Sequence, residues 1–297
     1  MRNRLMLVVA ATAVAAVFLA AFPSAAQNAN GLPDNLNGGG AKAGKGKGKA
    51  KGPSRPTPHL ADGTVNLGPL AGEKGVWNGS AGATLTRNPN AGRGGGFAGN
   101  ANSFAPVNPT VDEIPFLPWA RALYDHRRET LTADDPHVRC KSSGGARLYH
   151  TPYGFEIIQA PEMQQIFVAG VGGPHTYRTI YMDGRPHPAD LDPTYHGHSI
   201  GRWEGDTLIV DTVGFNTVFW LARDGQPHTE QLHTIEKFSR PEYDTLRYEI
   251  TVDDPGAYSQ PWTAGWAIPW NANGEMYEYI CQENNRDSRH MFGGDAQ

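Results

Sequence analysis

The stretch HSIGRWEGDTLIVDTVGF (198–215) decides the fold. Two β-rich runs flank Gly205-Asp206, which sits in the place of a tight two-residue turn. Such a turn pairs Glu204 with Thr207, Arg202 with Ile209, Ile200 with Asp211 and His198 with Val213. Strand alternation then puts His198, Ile200, Arg202, Ile209, Asp211 and Val213 on one side. Ser199, Gly201, Trp203, Leu208, Val210 and Thr212 take the other. The pattern leaves open which side faces inward.

On the C-terminal side, LHTIEKFSR, a PEYD turn and TLRYEITVDD read as a second hairpin (232–254). EMYEYICQE (275–283) reads as a last strand. Upstream, FEIIQAP, MQQIFVAGV and TYRTIYMDG are short strand-like runs separated by Pro or Gly. No helical pattern separates these strands. That predicts a mostly β fold, an antiparallel meander closed into a calycin- or lipocalin-like barrel or sandwich. One short helix is expected before it, in PFLPWARALYDHRRETL (115–131). Pro118 is placed for a helix start, with Trp119, Ala122, Leu123 and His126 at helical spacing.

The N-terminal third has a different character. Residues 1–26 read as a secretory signal peptide, with Arg2 and Arg4 before the apolar run Leu5–Phe22 and Ser24-Ala25-Ala26 at the cleavage point. Residues 27–56 are Gly- and Lys-rich, too polar to form a core, and read as a disordered tether. Its Lys-rich run offers weak contact with an anionic envelope surface, though a solvated linker explains it as well. Residues 57–113 read as a loosely ordered Gly- and Asn-rich wrap, anchored by Leu60, Val65, Leu67, Val76 and Trp77. The β-rich domain is expected over 114–297. The formal charge of −4 hides a division: residues 61–297 alone carry −11. Such an acidic domain is no nucleic-acid binder. Only two cysteines exist, Cys140 and Cys281, and in an exported protein an even count points to one disulfide. The expected location is periplasmic or secreted.

DGRPHP (183–188), GHSIGRWEGDTLIVDTVGFN (197–216), GQPHTEQLHTIEKF (225–238) and TVDDPGAYSQPW (251–262) resemble a large bacterial family of exported, β-rich proteins. The resemblance extends to Asp62–Thr64 and Gly75–Trp77, to Pro115–Ala120, to Phe155–Gln159 and to Tyr279–Asn284. It implies a common fold, export and paired cysteines, and it implies no activity. His196 and the Gly/Lys arm (38–52) depart from the family pattern.

Six of the eleven histidines fall between 175 and 233. If the first face of the 198–215 hairpin points inward, His198, Arg202 and Asp211 share one semi-buried patch. Glu236 is in phase with Leu232, Thr234 and Phe238, so it reads as an inward carboxylate; the next strand presents Leu246, Tyr248, Ile250 and Val252 in phase, with Tyr248 an expected substrate contact. A carboxylate there must be paired, hydrogen-bonded or protonated. Arg202 and His198 are its expected partners. This set reads either as acid–base machinery or as a buried network that fixes the barrel. Trp220 and His228 lie on an irregular connection, and with His233 and His187 they are expected to line a barrel mouth. A metal reading would use His196 and His198, taken to share a strand face, with Glu204 and His228. Nucleophilic catalysis has little support, since there is no GxSxG.

The expected function is an exported enzyme acting on a small apolar or aromatic molecule by cofactor-independent acid–base chemistry, as a lyase, isomerase or hydrolase. His198, Asp211 and Glu236 are the expected catalytic residues, with Arg202 holding an anionic group. The rivals are a periplasmic carrier with an apolar barrel cavity and an envelope interaction protein tethered by its arm. No organic cofactor is expected, and a divalent metal only in the His-cluster variant.

Overall fold

A computed structural model describes residues 54–78, 85–87, 108–130, 133–151, 153–170 and 177–281. The expected signal peptide and all of the tether before residue 54 lie outside the described residues. The described residues belong to one compact unit, residues 47–297.

Nine strands follow one another in chain order around a closed barrel. They are β1 (Val76–Asn78), β2 (Gly154–Ala160), β3 (Gln165–Gly170), β4 (Tyr177–Tyr181), β5 (His198–Glu204), β6 (Thr207–Val213), β7 (His233–Glu242), β8 (Thr245–Asp253) and β9 (Trp262–Asn271). β1 closes the ring by pairing with both β2 and β9. The barrel therefore begins inside the segment read as a wrap, and its start moves back from residue 114 to residue 76. The expected strand at 275–283 does not form over its described part, 275–281. β1 already occupies the free edge of β9.

The 198–215 hairpin has the predicted register throughout, from Glu204↔Thr207 to His198↔Val213. Gly205 is in the left-handed region (φ +57°), as the first central position of a type II′ turn requires. The face question is resolved: Ser199, Leu208, Val210 and Thr212 point into the barrel and are fully buried. His198, Arg202 and Asp211 are on the outer face. β8 alternates strictly, with Leu246, Tyr248, Ile250 and Val252 inside. Along β9, Trp262 and Trp266 are four apart and both buried, as a period of two demands.

The helix α1 (Pro118–Glu129) forms with Pro118 at its first turn. Its buried stripe is Ala120 and Tyr124, whereas Ala122 and His126 are exposed. Phe116 packs on Tyr124 and Tyr258. Among the described residues, no helix is long and apolar enough to cross a membrane.

The barrel interior is filled. A 3-10 turn, Gly145–His150, runs entirely buried and delivers Tyr149 into the core. Its ring meets Phe155, Phe238 and Tyr248 at centroid separations of 4.7–5.3 Å. Trp77 and Trp266 add to this core, each fully buried. Side chains of this size contribute roughly 1.5–3 kcal/mol each when taken from water. Arg147 ties the turn to Asp135 through a buried two-pronged ion pair. Cys140 and Cys281 form a disulfide.

Candidate functional site

Eight of the nine strand pairs are antiparallel; β4 and β5 are parallel and share only Ile180↔Ser199 and Tyr181↔Ile200. Beyond that short pairing the chains diverge. A cleft of about 550 Å³ opens there, walled by residues 140–142, 177–179, 181 and 194–199. It lies at the parallel seam of the barrel.

Inside the seam sits Arg178 on β4, fully buried. Its Nε donates to Ser199 Oγ (2.9 Å), and one terminal nitrogen donates to Tyr149 Oη (2.9 Å) and Glu236 Oε1 (3.1 Å). The other donates to Thr212 Oγ1 (2.7 Å) and to Glu236 Oε2. All five guanidinium donors are thus used. Glu236 accepts a further bond from Tyr248 Oη (2.8 Å). Glu236 does point inward, as its phase predicted, but its partners are Arg178 and Tyr248 rather than Arg202 and His198. A fully buried ion pair in which every guanidinium donor is used is a structural network.

On the outer face a second cluster forms beneath the connection 182–197. Asp211 Oδ1 faces His187 Nε2 (3.1 Å) and His233 Nε2 (2.9 Å). His187 Nδ1 faces His198 Nδ1 (2.8 Å). The ring of His198 stacks on Tyr181, whose other neighbour is the Arg185 guanidinium. Burial first, and then the neighbouring His187 ring and the Arg185 guanidinium, hold His198 below the usual histidine value, so it is neutral at pH 7. His198 also lines the cleft. It is therefore the one expected catalytic residue that belongs to both places.

The expected site residues separate as follows. His198, Asp211, His187 and His233 come together. Arg202 is exposed at the hairpin end and pairs with Glu204. Trp220 is buried beneath the Arg127 guanidinium. His228 is buried in the same connection, between the carbonyls of Phe219 (3.0 Å) and Thr229 (3.2 Å). Neither lines a mouth. The metal set His196, His198, Glu204 and His228 is dispersed, and among the described residues no group of three or more His, Cys, Asp or Glu side chains is arranged to hold a metal. Gly197 is the reason His196 and His198 part. It is in the left-handed region (φ +61°) just before β5 begins, so strand alternation does not extend across it. A Cβ there would lie 2.5 Å from the Val213 carbonyl oxygen, so only glycine fits.

His196 faces Ser142 Oγ through Nε2 (3.3 Å), while its Nδ1 is shut off from solvent without a partner. Burial and the Arg178 charge push its pKa down to about 3, so the ring is neutral. The hydrogen bond to Ser142 thus fixes the ring from its Nε2 side.

Arg178 escaped the sequence reading, although a signal existed. In TYRTIY it shares a strand phase with Ile180, and Glu236 shares one with Phe238. An arginine and a glutamate that each stand on an apolar face name one another as partners. Lys141, Ser142 and Tyr181, which line the cleft, carried no such signal. No protein-family model, curated protein or solved structure matches the chain.

Proposed function

We propose that the protein is an enzyme acting on a small organic molecule by acid–base chemistry in the β4–β5 cleft, with His198 as the acid–base residue. The observation that carries this reading is that His198 lines the cleft and also ends the chain His198–His187–Asp211. With Nδ1–H of His198 donated to His187 Nδ1, and Nε2–H of His187 donated to Asp211, the Nε2 lone pair of His198 is free to take a proton. When it does, the Nδ1 proton passes to His187, and the imidazolium so formed lies against the Asp211 carboxylate. His233 donates to the same carboxylate oxygen and fixes its position. Asp211 and His187 are positioning residues in this scheme. Glu236 and Arg202 are withdrawn from it, the first by burial and the second by distance along the strand. The filled barrel removes support from an apolar-cavity carrier. Export remains part of the reading, supported by the disulfide.

The test is a turnover screen of small aromatic esters, lactones and hydroxy acids, with products identified by mass spectrometry. Substrates turned over by the wild type should lose about 10²–10⁴-fold in rate with His198→Ala, the usual worth of a general acid–base group. The melting temperature should hardly move, and Arg202→Ala should leave the rate unchanged. The reading is overturned if His198→Ala keeps full activity, or if no class of probe is turned over at all. Because His198 titrates below its ordinary value, the acid limb of the rate profile should fall below pH 6.5. Asp211→Asn should slow turnover while leaving KM nearly constant.

A further inference from the structure

The walls of the cleft have an unusual charge for this protein. Residues 61–297 carry a net −11, yet among the described residues no Asp or Glu lines the cleft. Its basic side chains are Lys141, Arg178, His196 and His198. Both histidines are neutral, and Arg178 is neutralised by Glu236. Asp183 and Asp211, outside the lining, are engaged as well, the first by Arg185 and the second by His187 and His233. Lys141 is exposed, and its ammonium group has no carboxylate partner among the described residues. Among the described residues it is thus one uncompensated positive charge on a cleft wall that carries no carboxylate.

The same walls are aromatic. Tyr177 is 66% exposed, the largest value among the exposed large hydrophobic side chains, and among the described residues its ring has no aromatic partner. Tyr181 and Tyr195 stand beside it, their rings already packed on His198 and Phe219. An open tyrosine face favours a flat ring, which it can stack at little conformational cost. The hydroxyls of Ser142, Thr179 and Thr194 line the remaining wall.

We propose that the cleft takes a small aromatic anion, its ring on Tyr177 and its carboxylate at Lys141. This rests on the cleft being the ligand site, and it names the chemical class of the ligand. Long-range charge alone would turn such an anion away from an acidic protein, so the local lysine is what makes binding selective.

Isothermal titration calorimetry with sodium benzoate and its neutral counterpart benzyl alcohol tests the idea on the purified protein. Benzoate should bind about five-fold more tightly, the reach of one exposed ion pair. Lys141→Met should close that gap, and Lys237→Met, far along β7, should not. Raising the salt should narrow the gap too. Tyr177→Ala should weaken both probes. Equal affinities in the wild type, or a gap that survives Lys141→Met, overturn the anion assignment; if Tyr177→Ala still weakens both probes, the cleft stands as the site. Binding of neither probe overturns the anion assignment and the cleft reading together.

Discussion

Three histidines are held neutral by burial: His137, pushed down to about 4, His196, pushed down to about 3, and His228, lowered in the same direction. In each case desolvation is the main cause, with Arg147 adding to it at His137 and Arg178 at His196. Their folded values lie below the unfolded value of 6.5, so below that pH the unfolded chain binds more protons than the folded one. Stability is then complete above pH 6.5 and declines as the pH falls from 6.5 towards 3. Urea unfolding at pH 7.5 and pH 5.0 should show a lower midpoint at the acid value, and His196→Gln should shrink the difference. A midpoint independent of pH over this range would refute the account. At this scale the sequence was partly legible. The phase of Glu236 predicted its inward position, and the hairpin register put His198 on one face with Asp211, but His187 and His233 were expected at a barrel mouth rather than beside Asp211. The partner of Glu236 was not legible, because Arg178 and Glu236 are on strands three apart in the barrel and meet only once it closes. His196 was misplaced because a left-handed glycine beside it ended the alternation used to place it.

The register of the β5–β6 hairpin was legible in full because a two-residue turn fixes every pair that follows it. Which face lay inside was not, and the reason is physical. The outer face is itself half-covered by the 182–197 connection, so Ile209 is buried outside while Ser199 and Thr212 are buried inside. A strand covered on both faces loses the apolar–polar contrast that the reading depends on. The 275–281 segment has strand-like alternation but found no edge, because β1 had taken it. The β4–β5 seam is a short one, with two pairs of residues where β7 and β8 pair along most of their length. Arg178 compensates from inside, reaching from β4 to Ser199 on β5, Thr212 on β6 and Glu236 on β7. Arg178→Met should therefore speed amide hydrogen exchange in residues 177–181 and 198–201 well before β8 is affected. It should also lower stability by about 3–5 kcal/mol, since it leaves Glu236 charged, buried and unpaired. Adding Glu236→Leu should recover part of that loss. Uniform exchange along all nine strands would remove the clasp role.

At the scale of the whole molecule, the barrel depends on segments remote from its central hairpins. β1 contributes only three residues, and the chain before it is held by side chains. Gln159 accepts from the Leu67 amide (2.7 Å) and donates to the Val65 carbonyl (2.9 Å), standing in for a strand. The Arg240 guanidinium donates to the carbonyls of Asn66 (2.7 Å) and Gly68 (2.8 Å). At the other end, Cys281 ties the chain leaving β9 to Cys140, across a sequence separation of 141 residues. Pairing was legible from the count of two cysteines; its place on the wall of the cleft was not, because a cysteine's neighbours in space are set by the closed barrel. A link over so long a loop restricts the unfolded chain by up to ~5 kcal/mol. Cys140 is also next in sequence to Lys141 and Ser142, so the same bond anchors one wall of the cleft. Reduction should then act in two stages. In urea, the reduced protein, or the Cys140→Ser, Cys281→Ser double variant, should unfold at a clearly lower midpoint. Without denaturant, where Tyr149, Tyr248 and Trp266 still fill the barrel, near-ultraviolet circular dichroism should stay native while benzoate binding weakens several-fold. Loss of the native signal together with binding would mean that the disulfide holds the whole barrel; unchanged binding would mean that it holds neither the cleft wall nor Lys141.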